Sequence, residues 1–264
     1  MSSHHPLASI DRRAVIGENV VIEAFAHIEE DVVIGDDCWI GSHAVLKNGT
    51  RLGKNCKVFH GAVLGAKPQD LKFKDEATLL EIGENNVIRE YCTLNRGTLA
   101  TGRTSIGNHN MLMAYAHVAH DCFIGDHCVI ANSVNLAGHV EVGDWAIIGG
   151  ATQVHQFSKI GGHVMISGGS LVQKDVPPFV KAARNPLSYA GVNTIGLERR
   201  GFSREQITQI QNIYRVLFVR GYNVVKAVGF IQNDCPESDE KTHILEFIAG
   251  ADRGLIKGFQ SVRD

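Results

Sequence analysis

Aliphatic side chains recur every six residues along most of this chain. From Ile10 they fall at Ile16, Ile22, Ile28, Ile34, Ile40, Leu46, Leu52, Val58 and Leu64, and the same phase returns at Ile82, Ile88 and Leu94. It returns again at Ile106 and continues through Leu112, Val118, Ile124, Ile130 and Leu136 to Val172. Of 28 positions on this grid, 25 are Ile, Leu or Val, and the exceptions (Asp70, Glu76 and Ala100) fall in two segments that read as inserted loops near 66–80 and 96–105. A period of six fits neither an amphipathic helix nor a hairpin series; it fits short strands joined by turns that recur identically. The pattern predicts a hexapeptide-repeat solenoid over residues 1–190, its interior a set of stacked Ile, Leu and Val columns.

Two residues before each aliphatic position the side chain is usually small, as at Ala26, Cys38, Ala44, Cys56, Ala62, Cys92, Ala116, Cys122 and Cys128. This accounts for five of the six cysteines as small buried hydrophobes, with no disulfide framework and no paired-cysteine metal site. The repeat resembles that of the left-handed parallel β-helix family, in which three hexapeptides close one triangular coil. That resemblance implies coils about 4.8 Å apart and a left hand, against the usual right-handed crossover.

The grid stops near Val172, and Asp175-Val176-Pro177-Pro178 breaks it. Beyond it, Ser203 with Gln206 three residues later has the form of a capping box, followed by Ile207, Ile210, Ile213, Tyr214 and Leu217 at helical spacing. Further amphipathic stretches cover 223–231 and 238–248. Residues 191–264 are expected to form a small helical domain packed beside the solenoid.

Composition narrows the function. The balance of 26 basic against 28 acidic side chains argues against a general nucleic-acid binder. No apolar run reaches the length of a membrane span, and the start lacks the apolar stretch of a secretory signal. A cytoplasmic protein without stable membrane insertion is expected.

Candidate chemistry centres on His117-Val118-Ala119-His120-Asp121-Cys122. If 18 residues make a coil, His120, Gly138 and Gln156 share one column, Asp121, His139 and Phe157 the next, and Ala119, Ala137 and His155 the one before. His120, His139 and His155 would then meet on one edge. Gly138, one coil beyond His120, could bring its backbone N–H close to a ligand and donate to a developing oxyanion. Isolated histidines such as His27, His43, His60 and His127 read as surface residues. Zinc, which some hexapeptide β-helices carry, would need three ligands; His117 and His120 offer two, nothing marks a third, and no metal is expected.

Longer motifs make the resemblance specific. They include Gln69-Asp70-Leu71-Lys72-Phe73, Asn95-Arg96-Gly97-Thr98, residues 116–122, residues 136–142, Val154-His155-Gln156-Phe157, residues 175–180, Gly191-Val192-Asn193, residues 199–205 and residues 253–258. By these the chain is similar, over essentially its whole length, to the UDP-N-acetylglucosamine O-acyltransferase family. The resemblance implies transfer of an (R)-3-hydroxyacyl chain from acyl carrier protein to the 3-hydroxyl of UDP-N-acetylglucosamine, the first step of lipid A biosynthesis. It implies no cofactor, no covalent acyl-enzyme and a homotrimer with its sites between subunits.

Residue by residue, it implies that His120 is the general base, Asp121 its orienting carboxylate and Gly138 the oxyanion donor. Asp70, Lys72, His117, His139, His155 and Gln156 would contact sugar or acyl donor, and Asn193, Glu198 and Arg200 the nucleotide. Gly168 would leave room in the acyl groove for a longer chain. Lys174, Lys181, Arg184, Arg204, Arg215 and Arg220 could meet the acidic carrier protein, although scattered surface charge explains them as well. Asn95 departs from the histidine common in the family, so contacts to the nucleotide there would differ. Acylation of the 3-amino analogue of the sugar, or a non-catalytic scaffold of the same fold, remain the alternatives. The related N-acyltransferase of the same pathway usually has an added N-terminal domain, and repeats beginning by Ile10 argue against it.

Overall fold

The computed structural model describes residues 3–258; residues 259–264 of the expected helical domain lie outside that range. Most of the chain is a left-handed parallel β-helix of three faces. Strands of two to four residues follow one another around the prism. The first face begins with Ser3–His4 and Val21–Ile22, the second with Ser9–Ile10 and His27–Ile28, the third with Val15–Ile16 and Val32–Ile34. In each strand the aliphatic grid residue points inward. Ile22, Ile28, Ile34, Ile40 and Leu46 are all essentially inaccessible, and the run continues to Val172.

Register follows the grid. His117 pairs Asn135 and Asn135 pairs Gln153, a step of 18. Leu64 instead pairs Leu94, and Leu94 pairs Val118, steps of 30 and 24. The two loops therefore add twelve and six residues, whole multiples of the repeat, and this is why the phase of six survives them.

The small position two before the grid holds Cys38, Cys56, Cys92, Cys122 and Cys128, all buried and reduced. Asn86 and Asn110 occupy that position in two coils and are also buried. Asn86 Nδ2 donates to the Gly83 and Gly107 carbonyls, and its Oδ1 accepts from the Asn110 N–H. Asn110 Oδ1 in turn accepts from the Cys128 N–H. Both atoms of the Asn86 amide and Asn110 Oδ1 are thus satisfied against the backbone, which is what lets polar side chains enter this core, while Asn110 Nδ2 is left without a partner among the described residues.

Each edge turns through a residue in the left-handed region, and many of these are not glycine: Phe25, His43, Tyr115, Asp121, His127, His139, Trp145, Phe157 and His163 all have φ between 56° and 64°. That conformation costs about 1–2 kcal/mol for an L-residue. Stacking between coils offsets it: ring centroids lie 5.0 Å apart for Phe25 and His43, 4.0 Å for His127 and Trp145, and 4.5 Å for His139 and Phe157.

The solenoid does not end at Val172. Val180–Ala183 pairs in parallel with Met165–Ile166, then antiparallel with Ser188–Val192, which pairs with Lys257–Gly258. A short helix α1 (Thr194–Arg199) follows, then α2 (Arg204–Phe218), α3 (Val224–Asp234) and α4 (Asp239–Ala249). The Ser203–Gln206 capping box is present, and Asn223 and Ser238 cap α3 and α4. Helix α2 buries Ile207, Ile210, Ile213 and Tyr214, whose hydroxyl donates to the Pro178 carbonyl at 2.5 Å.

Candidate active site

His120 and Asp121 occupy the edge between the second and third faces, two and three residues past the buried Val118. Asp121 takes the left-handed turn, φ 61°, which carries its carboxylate back towards its own neighbour. Its Oδ2 lies 2.7 Å from His120 Nδ1 and 3.5 Å from His139 Nε2. Thr98 donates from both N–H and Oγ1 at 2.8 Å, one bond to each carboxylate oxygen, and Thr101 Oγ1 adds another at 2.5 Å. Burial would raise the pKa of this carboxyl, whose side chain is wholly inaccessible. The donors from Thr101, His120 and Thr98 outweigh burial and hold it below the usual carboxylate range.

An ionised carboxylate only accepts hydrogen bonds. The proton between the pair therefore sits on His120 Nδ1, which in the neutral ring leaves the lone pair on Nε2, and the ring is 14% exposed. That is the tautomer of a general base. His139 packs edge-on against His120, centroids 5.3 Å apart. Gly138 closes the other side: a Cβ there would stand 2.6 Å from His120 Cε1 and 2.8 Å from Nε2. Only glycine permits this approach of one coil to the ring on the next.

The ligand atoms of His120, Asp121 and His139 lie within 4.8 Å of one another, a spacing a cation could bridge. The acceptor positions of Asp121 are, however, already filled by Thr98, Thr101 and His120. The donor set suits a held base better than a metal. His117, counted as a possible ligand from sequence, is not in this group. Burial pushes its pKa down, and its Nδ1 bonds Thr93 Oγ1 at 2.7 Å.

The other expected residues are less concentrated. Gln156 stacks in the column of His120 and Gly138, as the register requires. His155 is exposed and bonds the Gln156 carbonyl through Nδ1 at 3.0 Å. Among the described residues no ring contact or hydrogen bond joins it to His120 or His139, so two of the three histidines meet, not all three. Asp70 and Lys72 lie in the first inserted loop, where Asp70 Oδ1 accepts from the Lys72 N–H. Asn95 is buried and donates to the carbonyls of Ala66 and Lys67. Through Nδ2 it secures that loop, while its Oδ1 has no partner among the described residues.

Asn193, Glu198 and Arg200 sit at a different edge, between the third and first faces. Arg200 donates to the Trp145 carbonyl at 3.0 Å, lies 5.3 Å over the Trp145 ring and reaches His163 Nδ1 at 3.5 Å. Asn193 Nδ2 donates to the His163 carbonyl at 2.9 Å. Both fasten α1 to the stacked column of His109, His127, Trp145 and His163; Glu198 is exposed beside them. Gly168 follows Ile166 onto the third edge, between the first and second faces. There a Cβ would lie 3.0 Å from the Gly150 carbonyl, so coil packing also favours glycine. Thr101 and Thr104 escaped sequence reasoning, and Thr98 entered it only as part of a motif.

The solenoid's hexapeptide repeats and its relatives together make the protein an acyltransferase of the hexapeptide-repeat class. The description "Bacterial transferase hexapeptide (six repeats)" matches residues 13–48, 31–66 and 103–138, and "Udp N-acetylglucosamine O-acyltransferase; Domain 2" matches 175–256. The acyl-[acyl-carrier-protein]–UDP-N-acetylglucosamine O-acyltransferase of Sulfurihydrogenibium sp. is 55% identical over 95% of this chain and 93% of its own. That of Chlorobaculum parvum is 54% identical over 99% and 100%. The crystal structure of the UDP-N-acetylglucosamine acyltransferase from Bacteroides fragilis superposes with a TM-score of 0.95 at 48% identity, covering 96% of this chain and 99% of that one. The chain belongs to the UDP-N-acetylglucosamine O-acyltransferase family.

Proposed function

We propose that this protein transfers an (R)-3-hydroxyacyl chain from acyl carrier protein to the glucosamine 3-hydroxyl of UDP-N-acetylglucosamine, opening lipid A biosynthesis in the cytoplasm. The names of its full-length relatives support donor and acceptor. No helix among the described residues is long and apolar enough to cross a membrane.

His120 Nε2 takes the proton of the sugar hydroxyl as that oxygen attacks the thioester carbonyl. Asp121 stays ionised and steadies the imidazolium. The tetrahedral oxyanion is held by the Gly138 N–H. Collapse breaks the C–S bond, and the departing thiolate takes the proton from His120, leaving the ester and the free carrier thiol. No covalent acyl-enzyme and no cofactor are required.

One observation carries this reading. At some equivalent corners, though not at most, the backbone N–H is capped by a side-chain oxygen from an adjoining coil: Glu18 by Asp36, Ser42 by Glu23, Asn108 by Asp126 and Asp126 by Asp144. The scaffold's corner donor thus suits an anionic oxygen. Gly138 occupies the same corner beside the base, and its N–H has no acceptor among the described residues. A developing oxyanion fits where some other corners hold a carboxylate, and of these corners Gly138 is the one that lies against the His120 ring.

Asp70, Lys72, His117, His139, His155 and Gln156 are read as sugar and acyl-donor contacts, Asn193, Glu198 and Arg200 as nucleotide contacts, and Gly168 as the end of the acyl groove. These residues lie on three edges of one prism, which supports a homotrimer in which a neighbouring copy completes each site. The test compares wild type with His120→Ala for transfer to UDP-N-acetylglucosamine, with circular dichroism and sedimentation on both. Transfer by a trimeric wild type, lost at least a hundredfold in a folded variant, is expected. Transfer only to the 3-amino sugar would correct the acceptor, failure with both would favour a scaffold, and a stable active monomer would refute the assembly.

A further inference from the structure

We propose that Thr98 and Thr101, on the second inserted loop, are positioning residues that set the basicity of His120 by holding both oxygens of Asp121. The inference rests on His120 acting as the base. Thr98 gives the carboxylate two bonds, from N–H to Oδ1 and from Oγ1 to Oδ2, and Thr101 Oγ1 gives a third to Oδ1, its one proton lying between that oxygen and the Arg103 carbonyl. Asp121 Oδ2 is thus shared between Thr98 and the His120 ring. From the opposite side Thr104 Oγ1 accepts the Asp121 N–H at 2.8 Å, so the residue is gripped at both backbone and side chain.

The loop is built to hold still. Its neck closes where Gly97 lies against Arg103, whose backbone would stand 2.4 Å from any Cβ added at Gly97. Thr78 Oγ1 donates to the Gly97 carbonyl at 2.6 Å, and the Gly97 N–H donates to the Leu79 carbonyl. Across the loop, the Gly102 N–H donates to the Thr98 carbonyl at 2.8 Å. The threonines therefore reach Asp121 from a fixed platform, and the ordering of their hydroxyls is settled before substrate arrives.

The electrostatic consequence has a definite sign. Each hydroxyl donor draws negative charge out of the carboxylate, Thr98 from Oδ2, the oxygen that faces Nδ1, and Thr101 from Oδ1. Removing the Thr98 hydroxyl leaves that charge to the imidazolium, whose proton is then held more tightly. The other ionisable groups facing His120 are His139 and His117, and neither is altered by the substitution.

The experiment follows the His120 ring of the full-length protein by NMR titration in wild type, Thr98→Val, Thr98→Ser and Thr101→Val, the resonance being assigned with His120→Gln. The same proteins are assayed for kcat and KM across pH. Thr98→Val and Thr101→Val are expected to raise the His120 pKa by about half a pH unit or more. They should also lower kcat about tenfold, with KM changed less than twofold. Thr98→Ser, which keeps the donor, should behave as wild type. A Thr98→Val ring that titrates as in wild type, or a Thr98→Ser loss equal to that of valine, overturns the proposal. The titration needs no turnover, so it decides the clamp even if the wild type transfers no acyl chain and the functional reading falls.

Discussion

Gly138→Ala separates placement of the base from supply of the oxyanion donor, because alanine keeps the N–H. The added methyl would begin 2.6 Å from His120 Cε1 and 2.8 Å from Nε2. Ordinary contact starts near 3.4 Å, so the ring must retreat by about 0.8 Å or the coil must shift. The coil resists: Ala137 and His139, either side of Gly138, donate backbone bonds of 3.1 and 3.0 Å to neighbouring coils, and Val140 beyond them is fully buried. The ring yields instead, and its 2.7 Å bond to Asp121 lengthens towards the limit of hydrogen bonding. A displacement near 1 Å of a reacting group costs about a hundredfold in rate. Stability should change little, since the clash falls on a ring at the solvent edge rather than in the aliphatic columns. The assay is kcat for acyl transfer beside a urea midpoint and a sedimentation profile. Full activity in Gly138→Ala would show that the ring tolerates the methyl and that the close approach has no catalytic meaning.

Acid should loosen the junction between helices and solenoid through His163, whose pKa is brought to about 4, first by burial and then by Arg200 and His243, with Asp144 opposing. The pKa is depressed below its unfolded value near 6.5, so this contribution is present above pH 6.5 and lost as pH falls towards 4. After solvent screening of a half-buried ring it amounts to about 1–2 kcal/mol. His163→Gln should therefore flatten the fall in urea midpoint between pH 7 and 4.5, and parallel slopes would refute the assignment. Tyr214→Phe strands the Pro178 carbonyl in the buried seam beneath α2 and should cost about 1–2 kcal/mol in urea unfolding with kcat unchanged; a neutral substitution would mean that the bond contributes nothing net.

The solenoid was readable because one inward residue in six answers to a repeating physical demand, and both loops happen to add whole repeats. Counting by 18 could place Gly138 and Gln156 in the column of His120 for the same reason. The carboxylate clamp obeys no period. Thr98 and Thr101 lie 23 and 20 residues from Asp121, and they reach it only because the loop neck closes at Gly97. His155 shows the opposite failure: its position on the edge was legible, but the direction of its ring was not, and the ring turns to the Gln156 carbonyl.

Arg200 carries the argument furthest. As a sequence, an arginine after Leu197-Glu198-Arg199 suits phosphate, and its planar fork is well made for it. In the folded chain that fork already spans the Trp145 carbonyl and His163, and burial holds its pKa down. A guanidinium so fixed cannot swing across to His120 on another edge. If it serves the nucleotide, it does so from where it stands, on a different edge from His120, and the proposed trimer would let it serve the base of another copy. A monomeric variant that folds but transfers no acyl chain, and recovers activity on reassembly, would have its explanation in this division of one site between edges.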